Sequence, residues 1–100
     1  MSGAVIALYA EFTALPGHES EVARLVRDLT AHVRREAGCI RFDPHQRSTN
    51  SAAFFVYEEY RDAGAFDAHC AAAYGAEFNR ALGPIIEGDG STLTFLAPLA

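Results

Sequence analysis

The chain has 100 residues, half of them apolar and 21% charged, with a net charge of -5. That composition describes one compact globular domain over residues 1–100, and its acidity, without a basic patch or arginine–aromatic alternation, argues against a nucleic-acid partner. The first apolar run, Val5 to Ala10, is followed at once by Glu11, so it is far too short for the ~20 residues of a membrane span and lacks the basic flank of a signal peptide.

Val5 to Thr13 alternates Val5, Ala7 and Tyr9 with Ile6, Leu8 and Ala10, apolar on both faces, and predicts a strand covered on both sides. Pro16-Gly17 ends it in a turn. His18 to Ala37 predicts the longest helix, with Glu19 and Glu21 in the first turn, an apolar face of Val22, Leu25, Val26, Leu29 and Val33, and Gly38 as its C-terminal cap. Cys39 to Gln46 predicts a second strand, with Ile40 and Phe42 on one side and Arg41, Asp43 and His45 on the other. Ser48 to Ser51 reads as a hairpin loop of about four to six residues.

Ala53 to Tyr60 predicts a central strand, since Phe54, Val56, Glu58 and Tyr60 share one face and Phe55, Tyr57 and Glu59 the other. Asp62 stands at an N-cap position, and Phe66, His69, Cys70 and Ala73 then recur on one helical stripe that should face the sheet. Gly75 predicts a break before a second helical piece, Ala76 to Leu82, stopped by Gly83-Pro84. Ser91 to Leu99 predicts the last strand, with Pro98 near its end.

The order β-α-β-β-α-β predicts an α+β fold, a ferredoxin-like sheet with helices on one face. Two strands are apolar on both sides, so the helix-free face requires a cover, for which a second copy of the same sheet is the expected occupant. A homodimer is therefore expected.

Cys39 and Cys70 form no Cys-x-x-Cys pattern, and reduced thiols in a cytoplasmic protein are the simplest reading. His18, His32, His45 and His69 lie on different predicted elements, without metal-ligand spacing, so no metal site is expected. Nucleotide-binding glycine loops and serine-nucleophile elbows are absent. What remains is an apolar space between the second helix and the sheet, into which His69 projects near Tyr57 or Glu58. Neutral imidazole there is a usable base, and it is equally a packing histidine bonded to a strand group. Glu58, on a buried face, needs a partner in either case.

Several segments resemble the antibiotic biosynthesis monooxygenase family, and within it the small quinol-monooxygenase-like proteins. They are Pro16-Gly17, Arg35-Glu36-Ala37-Gly38-Cys39, Tyr57-Glu58-Glu59-Tyr60 with Asp62, and His69 followed by Phe78. The resemblance implies a dimeric α+β barrel of ferredoxin-like subunits and a cofactor-independent monooxygenase that oxidises a small hydroxyarene or quinol with dioxygen. It implies His69 as base or phenolate partner, Glu58 as its orienter, and Tyr57, Tyr60, Phe66, Tyr74 and Phe78 as walls for a small aromatic substrate. Two positions depart from the family pattern: Tyr74 stands where many relatives have a second histidine, and Tyr60 where many have tryptophan. The absence of tryptophan counts against haem chemistry, and no cofactor is expected. An enolising isomerase of a small phosphorylated carbonyl compound and a non-catalytic small-molecule-binding dimer are the alternatives.

Overall fold

A computed structural model describes residues 4–100. Four strands, β1 (Ile6–Thr13), β2 (Cys39–Arg47), β3 (Asn50–Tyr60) and β4 (Thr92–Leu96), form one antiparallel sheet in the order β2-β3-β1-β4. Helices α1 (Glu19–Val33), α2 (Ala63–Ala71) and α3 (Ala73–Leu82) complete the order β-α-β-β-α-α-β, with a 3-10 turn at Gly83–Ile85. This is the expected ferredoxin-like α+β architecture with the second helix in two pieces. The two strands that read as apolar on both faces, β1 and β3, are the two central ones, paired along their length from Ile6 opposite Tyr60 to Thr13 opposite Ala53.

The alternation decides the layers. Leu8, Ala10 and Phe12 of β1, Phe42 of β2, and Phe54, Val56 and Tyr60 of β3 are all at most 7% exposed. All of these except Leu8 and Tyr60 belong to one core cluster with Val22, Val26 and Val33 of α1, which Leu82, Ile85 and Ile86 close. Each buried Val, Leu, Ile or Phe among them contributes roughly 1.5–3 kcal/mol by leaving water. The opposite face carries Tyr9 stacked on Phe55, ring centroids 5.0 Å apart, beside Tyr57, while Val5 and Leu96 are 50% and 42% exposed. No helix covers it.

Several boundaries differ from expectation. Helix α1 ends at Val33, and the chain turns tightly through Glu36, whose N–H donates to the Val33 carbonyl at 3.0 Å. Gly38 is thus not the helix cap. It is needed for a close approach, because a Cβ there would sit 2.3 Å from Cβ of Ala65 in α2. In β2, Cys39 pairs with Tyr60 and Arg41 with Glu59, which leaves Ile40 without a partner in a bulge and 51% exposed. Ile40 therefore does not share the buried setting of Phe42. The hairpin turn is only Ser48 and Thr49, and β3 begins at Asn50 rather than Ala53. The second helix breaks at Ala72, whose ψ is 135°, rather than at Gly75, which lies in the first turn of α3. Of the stripe Phe66, His69, Cys70 and Ala73, only Phe66 and His69 are partly buried; Cys70 and Ala73 are exposed. β4 stops at Leu96, short of the expected Leu99.

The Gly38–Ala65 contact generates a prediction. Gly38→Ala should lower the unfolding free energy by about 1–3 kcal/mol through overpacking. Ala65→Gly in the same chain should recover part of that loss despite the ~1 kcal/mol a helical glycine costs. Urea denaturation of the four proteins of this double-mutant cycle measures the coupling, and purely additive effects would contradict the close-approach account.

Candidate active site

Where α2 and α3 lie over the sheet, the packing leaves a cavity of about 200 Å³. Its walls are Leu8, Phe12, Phe42 and Val56 from the sheet, Phe66 from α2, Phe78 from α3 and Leu93 from β4. The chemistry is carried by Glu58 and His69. An apolar cavity of roughly 150 Å³ can hold benzene, so this one has room for a single-ring ligand. Among the described residues no lysine or arginine lines it.

Glu58 is there because the alternation of β3 turns every second residue toward the helices, and this one is a carboxylate, 5% exposed. Two groups answer it. The hydroxyl of Tyr60, two residues along the same face, donates to Oε1 at 2.6 Å, and Nε2 of His69 lies 3.8 Å from the same oxygen. Burial pushes the Glu58 carboxyl above its ordinary range, and the opposing pull of the Tyr60 hydrogen bond and the His69 charge does not cancel it. Tyr60 is fully buried, and its hydroxyl is pushed far up by burial and by the charge of Glu58.

His69 arrives from the last turn of α2, a helix started by Asp62, whose Oδ1 accepts from the Ala65 N–H at 2.8 Å. Its ring packs against Tyr60, Phe66 and Phe42, with centroid distances of 4.8, 6.1 and 6.3 Å. On its other edge Nδ1 lies 3.1 and 3.2 Å from the two carboxyl oxygens of Glu36. The hydroxyl of Tyr74, from α3, also donates to Glu36. Burial and Glu36 push that hydroxyl up to about 12, and the Tyr74 ring stacks on His32 of α1 at 4.9 Å. Beside this group, burial and then the charges of Glu36 and Glu58 raise the Cys39 thiol to about 11, so it stays protonated and is no nucleophile at neutral pH.

The structure thus brings Glu58, His69, Phe66 and Phe78 to one cavity. Tyr60 is fully buried and does not line the cavity; it acts on the site through its hydrogen bond to Glu58 and through the packing of its ring against His69 and Phe66. Tyr74 does not line the cavity and is bound to Glu36 instead. Tyr57, expected as a wall, lies on the helix-free face, where its hydroxyl donates to Glu59 at 2.7 Å and the Arg41 guanidinium sits 5.8 Å from its ring. Glu58, expected to orient His69, is beyond hydrogen-bonding distance, whereas Glu36 is within it. The sequence assigns Glu36 no role by motif or periodicity. The signal was its position just past the end of α1, where the helix dipole disfavours a carboxylate unless another group holds it. Among the described residues no group of three His, Cys, Asp or Glu side chains is arranged to hold a metal ion.

A sequence model described as antibiotic biosynthesis monooxygenase matches residues 5–81. Among solved structures, the chain is similar to PA3566 from Pseudomonas aeruginosa, with 31% identity, a TM-score of 0.90, and coverage of 100% of this chain and 99% of that one. It is also similar to Rv0793 from Mycobacterium tuberculosis, with 24% identity, a TM-score of 0.88 and 97% of each chain covered. The latter likeness speaks to the fold alone. No curated protein matches the sequence significantly.

The buried carboxyl predicts a pH-dependent stability. A folded-state pKa raised above the unfolded value means that Glu58 is tolerated best when protonated, so its contribution is most favourable below pH about 4.5 and is lost as pH rises through the folded-state value. Glu58→Gln, which keeps an acceptor for Tyr60, should therefore melt above wild type at pH 7, with the difference shrinking as pH falls toward 4.5. Calorimetry across that range checks it, and a gap that widens on acidification has the wrong sign.

Proposed function

The chain belongs to the antibiotic biosynthesis monooxygenase family, and from that premise we propose that it oxidises a small hydroxyarene or quinol with dioxygen, without a resident cofactor. The observation that supports this reading is the imidazole–carboxyl pair of His69 and Glu58 beside a largely apolar cavity of single-ring size, whose other polar lining residues are Cys70, Asn79 and Ser91. Deprotonating a phenol near neutral pH calls for a base of the imidazole class, and a dry wall keeps the resulting aryloxide electron-rich.

In this mechanism His69 takes the hydroxyl proton at its cavity-facing edge. The aryloxide passes one electron to dioxygen, and the aryloxyl radical, whose spin is shared with ring carbons, combines with superoxide to form a carbon–oxygen bond at a ring carbon bearing hydrogen. Protonation of the peroxide, loss of that ring proton and cleavage of the O–O bond leave a quinone and water. One oxygen atom stays in the product. Glu58, whose burial favours its protonated form, is the donor suited to the departing oxygen. A phosphorylated substrate is less well served, because among the described residues no lysine or arginine lines the cavity to meet its charge.

The active species in this reading is a homodimer joined through the helix-free faces. Tyr9, Phe55, Tyr57 and Leu96 form a contiguous, partly exposed face on strands β1, β3 and β4, and a second sheet of the same kind would bury it. The free thiols of Cys39 and Cys70 fit a cytoplasmic setting, and no helix among the described residues is long and apolar enough to cross a membrane.

Light scattering at micromolar concentration should give about twice the chain mass of 10.8 kDa; a stable folded monomer contradicts the dimer. Oxygen uptake with a panel of quinols and single-ring hydroxyarenes tests the reaction. His69→Gln should lose about 100-fold to 10,000-fold in rate while keeping its fold. Near-wild-type turnover in that variant would remove His69 as the base.

A further inference from the structure

His69 is a partition. One side of its ring lines the apolar cavity, and the ring also lines a separate shallow cleft formed by Glu36, Gly38, Arg61, Asp62 and Ala65. Nε2 is on the Glu58 side and Nδ1 on the Glu36 side. The two nitrogens of a neutral imidazole are not equivalent, and which of them carries the proton is set by the partner that the other meets.

We propose that Glu36, held by Tyr74, is a positioning residue that keeps the His69 proton on Nδ1 and leaves the lone pair on Nε2, facing the cavity. An ionised carboxylate only accepts hydrogen bonds, so the nitrogen within reach of both its oxygens must be the one that donates. Tyr74 donates from α3 to the same carboxylate and anchors it from a second direction, with the tyrosine ring fixed against His32. The other groups around the imidazole are poorly suited to this role. Glu58 is too far for a hydrogen bond to Nε2 and is engaged by Tyr60; Cys39 keeps its proton; Arg61, across the cleft, is paired with Asp62 at 3.6 Å. The arrangement also separates the two sides of the base by function. A proton accepted at Nε2 creates an imidazolium whose charge is met by Glu36 at the cleft, so water need not enter the cavity to stabilise it.

The catalytic consequence rests on the proposed oxidation, but the tautomer does not. It is read on the free protein by long-range nitrogen–proton NMR of the imidazole at a pH where the ring is neutral. Wild type should show His69 protonated at Nδ1. Glu36→Gln, whose amide can either accept or donate, should lose that uniformity and show both tautomers. On a hydroxyarene turned over by wild type, the same variant should lose on the order of 100-fold in kcat with KM little changed, as expected for a misplaced base. A wild-type His69 protonated at Nε2, or a Glu36→Gln spectrum identical to wild type, overturns the proposal. If no hydroxyarene is oxidised, the reaction reading falls and the NMR result alone decides the role of Glu36.

Discussion

A carboxyl group on the inner face of a central strand constrains everything around it. Glu58 occupies a position where an aliphatic side chain would add to the core, and an isolated ionised carboxylate there would cost several kcal/mol. The cost is contained by a local device and a distant one. Tyr60 supplies a hydroxyl from the next residue on the same strand face, and α2 brings His69 to the other side of the same oxygen. Among the described residues no buried side-chain nitrogen or oxygen lacks a partner. The polar cluster is therefore complete, and a complete cluster can hold one geometry where a partly satisfied one would relax.

The second constraint is the shape of the helical layer. A continuous helix from Asp62 to Leu82 would run straight past the sheet, whereas the break at Ala72 redirects α3 so that it packs on α1 and delivers Tyr74 to Glu36. The same break prevents α2 from closing down on the sheet. α2 has no fully buried residue, and the space beneath it is the cavity. Filling that space with larger side chains would stabilise the fold and remove the candidate site, which is the usual opposition between stability and a binding pocket.

The two faces of the sheet share a pattern but not a role. Inside, Leu8 and Val56 are cavity wall; outside, Tyr9, Phe55 and Tyr57 make an aromatic patch on a surface that no helix among the described residues covers. The polar side chains of β2 belong to that outer face: Arg41, Asp43 and His45 lie opposite Glu59, Tyr57 and Phe55. Arg41 bonds to Asp43 at 2.8 Å, so these charges are engaged with each other and stand away from His69. They frame the outer patch and take no part in the cavity.

Local sequence determined a good deal of this. Alternation places Glu58 with Val56 and Tyr60 and separates them from Tyr57, Asp62 marks the start of α2, and the two-sided apolar strands identify the sheet centre and its uncovered face. These features depend on neighbours a few residues apart. The tertiary structure decided the rest. Both faces of β3 are apolar, so nothing local says that α2 covers the Glu58 face and leaves Tyr57 outside. The bulge that turns Ile40 outward is set by pairing with β3, and the break among three successive alanines carries no glycine or proline to announce it. Glu36 meets His69 and Tyr74 across separations of 33 and 38 residues. No periodicity spans such distances; only the tertiary approach of the connection between α1 and β2 to α2, seen where Gly38 meets Ala65, brings that carboxylate to the imidazole.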